Sequence, residues 1–374
     1  MSIKMKAAVM MGVGKLEIKE VELAKPKATE VLVKVIGTAI CHSDLNVLED
    51  PTSPTPQVLG HEGAGLVVEV GEHVTTCKVG DKVALSWVPY CGTCAYCQTG
   101  KVNLCESAFG PMFDGTLLDG TTRMTLDGKV CYHQSLLSTF AEYAVVPQMS
   151  CIVLPDAMPL DKAAMMGCGV ATGYGAAVRA AGVTPGSTVA VFGLGGVGIN
   201  AIQGSKLVGA SKIIACDLKD FNLEVSKHYG ATHTLHTGQV SDIPQAIRDL
   251  TDGLGVNYAI DCTGSPFVGR LAWQSARKGA TVVVIGAYPS SSELKLPAEG
   301  FHRQGKILKG SFYGDVNPFH DFPIIAQLYL DGQYDLDSLV IKKIKLEEIK
   351  TAFDAFHDPA AKNTGRYLVT FDDE

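Results

Sequence analysis

Residues 187–198 read STVAVFGLGGVG. An apolar, β-rich run (Val189, Val191) ends in Gly193, Gly195 and Gly198 in G-x-G-x-x-G register. A helical pattern follows over 199–208. Three glycines alone mean little in a chain with 40 of them. Their setting means more: a strand before, a helix after, and Asp217 closing the next apolar run about twenty residues on, as in a dinucleotide site. Glycines let the backbone approach a pyrophosphate, here along Gly195, Gly196 and Val197. The helix N-terminus attracts the phosphate charge, and the acid accepts from a ribose hydroxyl. Asp217 would repel a 2′-phosphate, and Leu218-Lys219-Asp220 brings no arginine to override it, so NAD is expected over NADP. The plainer alternative is a close-packed turn with Asp217 as a helix cap.

Outward from this stretch the pattern continues. Apolar runs at 212–217, 256–261 and 281–286 alternate with amphipathic stretches, which predicts a parallel sheet with helices on both faces. The alternation starts near residue 170 and stops near 314. Before it, short β-rich runs at 30–37, 63–70, 80–86 and 140–147, punctuated by glycine and proline, predict a barrel-like, mostly antiparallel domain. Residues 106–139 are polar and turn-rich and read as one long surface loop. After 314 come a helical stretch at 346–356 and a strand at 366–371. A chain of 374 residues has room for two such domains.

Lys plus Arg number 32 against 39 Asp plus Glu, a net charge of −7. That balance argues against nucleic acid or a membrane surface as partner, since both select a basic face. No apolar run of about 18 residues is present to span a bilayer, and the first residues do not read as a signal peptide. A cytoplasmic protein is the expectation. In that compartment clustered cysteines stay reduced and bind metal or do redox work. Residues 91–105, CGTCAYCQTGKVNLC, hold four of the eleven cysteines. Cys91, Cys94, Cys97 and Cys105 put four thiolates on one turning loop, a set that closes tetrahedrally on zinc. Pro89 and Gly92 break the strand-to-helix context that a redox C-x-x-C pair would need. A closed four-sulfur site leaves no open position, so it contributes folding energy and the chemistry lies elsewhere.

A second set is scattered through GTAICHSD (37–44), GHEGAG (60–65) and MMGCGVATGYG (165–175). Cys41, His61 and Cys168 supply two sulfurs and an imidazole, the ligand set of a catalytic zinc with its fourth position open. Spacing alone does not bring them together. Taken alone, a residue such as Cys168 is more often a small buried apolar one, and one such as His61 a satisfied core histidine.

Taken jointly and in this order, GHEGAG, the four-cysteine loop, GCGVATGYG and VFGLGGVG resemble the zinc-dependent alcohol dehydrogenases of the medium-chain dehydrogenase/reductase superfamily. The resemblance runs end to end. It implies an α/β protein: a GroES-like β-barrel-type catalytic domain from residues 1–170 and 314–374, plus an inserted Rossmann doubly wound parallel sheet over 171–313. It implies two zinc ions and NAD. Cys41, His61 and Cys168 become the catalytic zinc ligands, and Cys91, Cys94, Cys97 and Cys105 hold the structural zinc. Glu62 becomes the carboxylate beside the metal, and Asp44 the acid orienting His61. Ser43 takes the alcohol proton as hydride passes to the nicotinamide. His42 and Arg366 resemble contacts to the cofactor pyrophosphate.

Departures from the family pattern matter too. Asn46 stands where many relatives end their proton relay with a histidine. No base follows Cys105 in CESAFGPMF (105–113), which disfavours a glutathione adduct as substrate. Trp87 matches a channel-lining position near the zinc, with an aromatic of the barrel core as its alternative. Gln134 and Ser135 match positions further up that channel. The expectation is a primary alcohol/aldehyde pair, allylic or aromatic ones included, handled by a homodimer. Two alternatives share the fold: a dismutase that keeps its NAD bound, and a catalytically silent NAD-binding protein.

Overall fold

The structure is a computed structural model that describes residues 2–358, 361 and 364–371. The chain forms two compact units, Met1–Cys168 with Asn317–Glu374, and Gly169–Val316.

Strand Glu30–Ile40 is the hub of the first unit. It is buried along almost its whole length, as a central strand covered on both faces must be. Glu62–Val70 and Tyr143–Pro147 pair with it, and Arg366–Thr370 pairs antiparallel to its last residues. Register decides what meets at its end: Glu62 lies opposite Ala39, and Tyr367 opposite Ile40. The strand therefore delivers Cys41 beside both Glu62 and Arg366, the latter 325 positions away in sequence. Lys82–Leu85, Cys151–Val153 and Val340–Ile344 complete this sheet. A second sheet closes into a barrel from Ile3–Gly12, Lys15–Leu23, Met124–Leu126, Lys129–His133 and Gln57–Val58.

Residues 106–139, expected as a loop, are folded. Helix Glu106–Asp114 comes first, then a hairpin of Met124–Leu126 with Lys129–His133. It turns through Asp127 and Gly128 at φ 52° and 74°, left-handed values that Asp-Gly accepts in a two-residue turn. The inward residues Met124, Leu126, Cys131 and His133 are buried. So short an alternation, broken by lysine, aspartate and glycine, leaves little apolar signal to read.

The second unit holds six parallel strands in the order His233–His236, Lys212–Asp217, Thr188–Phe192, Val256–Asp261, Ala276–Val284, Ile307–Gly310. The alternation read from sequence predicts this sheet. Numbered along the chain the order is 3-2-1-4-5-6, which reverses direction between Thr188–Phe192 and Val256–Asp261. At such a switch point the loops leaving two neighbouring strands diverge and open a crevice. Trp273 fills the core of one sheet face against Ala190, Ala259 and Val282. Among the described residues, no helix is long and apolar enough to cross a membrane.

Candidate metal and cofactor sites

Cys41 caps helix His42–Glu49, and Asp44 turns back so that its Oδ2 accepts from Cys41 N at 2.8 Å. The other Asp44 oxygen lies 2.6 Å from His61 Nδ1. His61 follows Gly60, whose φ of 100° and lack of a side chain let the backbone press on Phe140: a Cβ there would lie 2.5 Å from Phe140 N. Cys168 follows the short turn Met165–Gly167. Ligand atoms of Cys41, His61, Glu62 and Cys168 all lie within 4.8 Å of one another, and all four residues are buried.

The electrostatics are those of a coupled cluster. A hydrogen bond with Cys168, opposed by burial and helped by the Arg366 charge, holds the Cys41 thiol well below its ordinary value. Sharing that bond holds Cys168 well above. Burial pushes the Glu62 carboxyl up to about 7 against the pull of Arg366. Burial also opposes charge on His61, but Asp44 outweighs it and lifts the imidazole well above its usual range. His61 Nε2 is buried and has no hydrogen-bond partner. With Nδ1 held by Asp44, that nitrogen takes up either a proton or a metal. Two sulfurs and one imidazole nitrogen fit zinc, and the Asp44–His61 bond is the support a histidine ligand ordinarily has.

The other expected residues are placed as follows. Ser43 Oγ stands 3.7 Å from Cys41 Sγ. The Trp87 ring meets the His61 ring edge-on with centroids 6.3 Å apart. His42 is exposed and packs edge-on against Phe356. Arg366, expected at a pyrophosphate, here grips Glu62 through Nε and Nη2 at 2.9–3.1 Å and reaches Cys41 Sγ at 3.4 Å. Gln134, expected in a substrate channel, is buried and its Oε1 accepts from Gly60 N, so it steadies the backbone before His61. Ser135 is half-buried with φ 50°. Sequence reasoning missed Thr38 and Thr139. Thr38 Oγ1 donates to Glu62 O at 2.7 Å, and the two hydroxyls lie 2.7 Å apart. No local pattern marks them, because their partner is 24 residues from one and 77 from the other.

The four cysteines of the loop also converge, with ligand atoms within 4.8 Å of one another. Backbone N–H groups of Thr93 and Cys94 point at Cys91 Sγ at 3.4 and 3.3 Å, and Cys91 N points at Cys105 Sγ at 3.2 Å. The Thr93 hydroxyl, then the Ser107 side chain and the N–H groups of Thr93 and Cys94, bring the Cys91 thiol down to about 5. Burial pushes Cys97 up to about 12. Four such sulfurs fit a closed zinc site.

In the second unit, Gly193 has φ 82°, and a Cβ on Gly198 would fall 1.8 Å from Gly193 O. A Cβ on Gly195 would meet nothing within 4 Å, so the turn is closed on one side and open on the other. Helix Gly196–Leu207 starts there with no side-chain cap on its N-terminus. Asp217 closes its strand, accepting from Leu194 N at 2.7 Å, Lys219 N at 2.9 Å and Asn222 Nδ2 at 3.2 Å. An uncapped, glycine-lined helix start fits a phosphate group.

Comparison with known proteins follows the same division. A family model described as alcohol dehydrogenase GroES-like domain matches residues 27–156, and one described as zinc-binding dehydrogenase matches 196–331. S-(hydroxymethyl)glutathione dehydrogenase of Paracoccus denitrificans is 38% identical over 366 residues, covering 95% of this chain and 97% of its own. Alcohol dehydrogenase class-3 of Myxine glutinosa is 41% identical over 363 residues, 95% of each chain. The chain belongs to the zinc-dependent alcohol dehydrogenases of the medium-chain dehydrogenase/reductase superfamily. Among solved structures, this chain is similar to an alcohol dehydrogenase zinc-binding domain protein of Burkholderia ambifaria. The TM-score is 0.94 at 33% identity, with both chains covered completely. It is also similar to benzyl alcohol dehydrogenase of Acinetobacter calcoaceticus, with TM-score 0.91 at 32% identity over 99% of this chain and all of the other. The GroES-like and Rossmann-type parts read from sequence are those of the family.

Proposed function

We propose that this protein transfers hydride between a primary alcohol/aldehyde pair, aromatic or allylic ones included, and NAD, with two zinc ions per chain. The observation that carries the reading is His61 Nε2, buried without a partner beside the sulfurs of Cys41 and Cys168. Zinc held by Cys41, His61 and Cys168 would supply Lewis-acid polarisation of an alcohol oxygen, and NAD on the Gly193–Gly198 turn would supply the hydride acceptor. Asp44 keeps His61 in the tautomer that offers Nε2. Ser43, next to Cys41, takes the proton that leaves the alcohol. Ser43 is itself exposed, which would let it pass that proton on without a titrating group at Asn46. Glu62, clasped by Arg366, keeps a carboxylate at the edge of the cluster. His42 would lie along the pyrophosphate, with Asp217 on the adenosine ribose.

Two observations support an aromatic or otherwise apolar substrate. Trp87 sets an indole against the His61 ring, and one structural neighbour is named a benzyl alcohol dehydrogenase. The Paracoccus relative is named for a glutathione adduct, but here helix Glu106–Asp114 offers acids at its ends and no base to meet a substrate carboxylate. The test is metal analysis together with a panel of alcohols assayed with NAD and NADP. Two zincs per chain are expected, with benzylic and other primary alcohols turned over and NAD favoured by about a hundredfold in kcat/KM, near 2.7 kcal/mol. Asp217→Gly should erode that preference. One zinc or none, or equal use of NADP by the unaltered protein, would overturn the reading.

A further inference from the structure

Helix Pro266–Ser275 carries a glycine in its interior, Gly269, where alanine would be more stable by about 1 kcal/mol. The reason for it lies in the neighbouring segment. A Cβ on Gly269 would stand 2.4 Å from the Tyr288 hydroxyl and 3.3 Å from Asp261 Oδ2. The missing methyl leaves room for that hydroxyl to donate to Asp261 Oδ2 at 2.5 Å. Asp261 is fully buried, at 0% exposure. Its Oδ1 accepts from Thr263 N at 2.9 Å and Thr263 Oγ1 at 2.6 Å. Both oxygens of a buried acid are thus satisfied by hydroxyls and a backbone N–H, with no cation among these partners. Burial, with the Asp261 bond and charge added, pushes the Tyr288 phenol well up, so it remains a donor.

The bond joins two turns that already touch through glycines. A Cβ on Gly286 would lie 2.0 Å from Gly264 N, and one on Gly264 would lie 2.3 Å from Ala287 O. The first turn also packs on the glycine-rich loop, since a Cβ on Gly193 would meet Thr263 Cγ2 at 2.6 Å. All three segments leave the carboxyl ends of adjacent parallel strands, Thr188–Phe192, Val256–Asp261 and Ala276–Val284. A dinucleotide lies across that edge at the switch point, one half on each side. Asp217 marks the adenosine side. On that reading the turns at 261–264 and 285–288 would lie under the nicotinamide half.

Resting on the dinucleotide reading above, we propose that Tyr288 is a positioning residue for the nicotinamide half of the cofactor. Its bond to Asp261 pins the 285–288 turn against the 261–264 turn and fixes the backbone groups that face the ring. Residues 285–298 contain no helix or strand, and an irregular segment of that length commonly serves a function. Ile285 N and Gly286 N donate to Asp261 O at 3.0 and 3.1 Å and hold the first two residues; the Tyr288 hydroxyl carries that hold on to the fourth.

Two variants attack the bond from opposite sides. Tyr288→Phe removes the hydroxyl and keeps the ring. Gly269→Ala drives the hydroxyl away from Asp261, at a helical position that otherwise favours alanine. Dissociation constants for NADH and for ADP-ribose, which lacks the nicotinamide, are measured by calorimetry on the full-length zinc-loaded protein, with thermal melts alongside. Both variants should bind NADH about five- to tenfold more weakly while ADP-ribose stays within about twofold. Equal loss for the two ligands, or unchanged NADH binding in a folded variant, overturns the proposal. Should one variant fail to fold, the other decides. Unaltered protein that binds neither ligand would sink the dinucleotide reading itself, a result the variants cannot mimic.

Discussion

Cys91, Cys94, Cys97 and Cys105 come from one loop of fifteen residues, and its sulfurs run from the exposed Cys91 to the buried Cys105. Cys41, His61 and Cys168 come from three places in the chain and are all buried. The loop can gather its ligands with little more than local turns, because closing a short loop costs little entropy. The buried set exists only once strand Glu30–Ile40, which Cys41 follows, is in register with Glu62–Val70, which His61 precedes, and the turn Met165–Gly167 brings in Cys168. Sulfur at the surface can staple. Sulfur held apart from water by a whole sheet can keep a metal position open for chemistry.

The sharpest way to break this contrast is to remove one ligand from each site. Cys168→Ala should lower turnover by at least about a thousandfold, since a metal supplies several kcal/mol of charge stabilisation. Zinc content should fall from two to one while the melting temperature moves little. Activity surviving near the original level would deny the buried cluster its catalytic role.

Cys97→Ser should do the reverse. Loss of a closed zinc site lowers stability by several kcal/mol, on the order of what a structural metal contributes. The folded fraction should still turn over alcohol with kcat within about twofold, because no ligand of the buried cluster is touched. If kcat of the folded fraction collapsed instead, the two sites could not be called separate in function.

Acid offers a third way to separate them. His133 is buried, its Nε2 accepts from Arg123 N at 3.1 Å, and its backbone oxygen accepts from Gln57. Its neighbour Gln134 holds Gly60, just before His61. Burial, reinforced by the Arg123 charge, lowers the His133 imidazole from 6.5 to about 3. The unfolded chain takes up this proton below pH 6.5, and the folded chain resists it until about 3. Stability from this group is therefore full above the upper value and is lost as pH falls through the window. The slope is at most about 1.4 kcal/mol per pH unit. Denaturant melts across that range should show it, and His133→Asn should flatten it by about one proton. An unchanged slope in that variant would mean that other groups carry the acid sensitivity.

Legibility in the sequence followed the same contrast. The four-cysteine spacing and the glycine-rich turn are short-range, so their residue types and intervals suffice. The parallel strands were legible because burial on both faces makes them continuous apolar runs. Strands Met124–Leu126 and Lys129–His133 were not, since three and five residues between polar turns carry almost no period. Arg366 beside Cys41 was not, because only strand register brings them together. Gln134 was expected in a substrate channel from the family position it matches, but a buried amide needs a partner. The partner is Gly60 N, which no spacing announces.

The smallest expected effect sits beside the buried cluster, at Trp87. Its indole does two things at once: it packs on the core formed by Val31, Val33 and Leu85, and it turns its ring against His61. On the proposed reading, an indole beside the metal would leave room for one substituent on the reacting carbon and crowd a second. Trp87→Ala should raise kcat/KM for a secondary alcohol relative to its primary isomer by about tenfold, near 1.4 kcal/mol, the scale of a methyl-sized fit. Because the same ring fills part of the core, the variant should also lose some stability, which a thermal melt reports separately. If the exchange cost stability and left the primary-to-secondary ratio alone, Trp87 would be a packing residue and nothing more. Secondary alcohols outrunning their primary isomers in the unaltered protein would refute the narrow pocket outright.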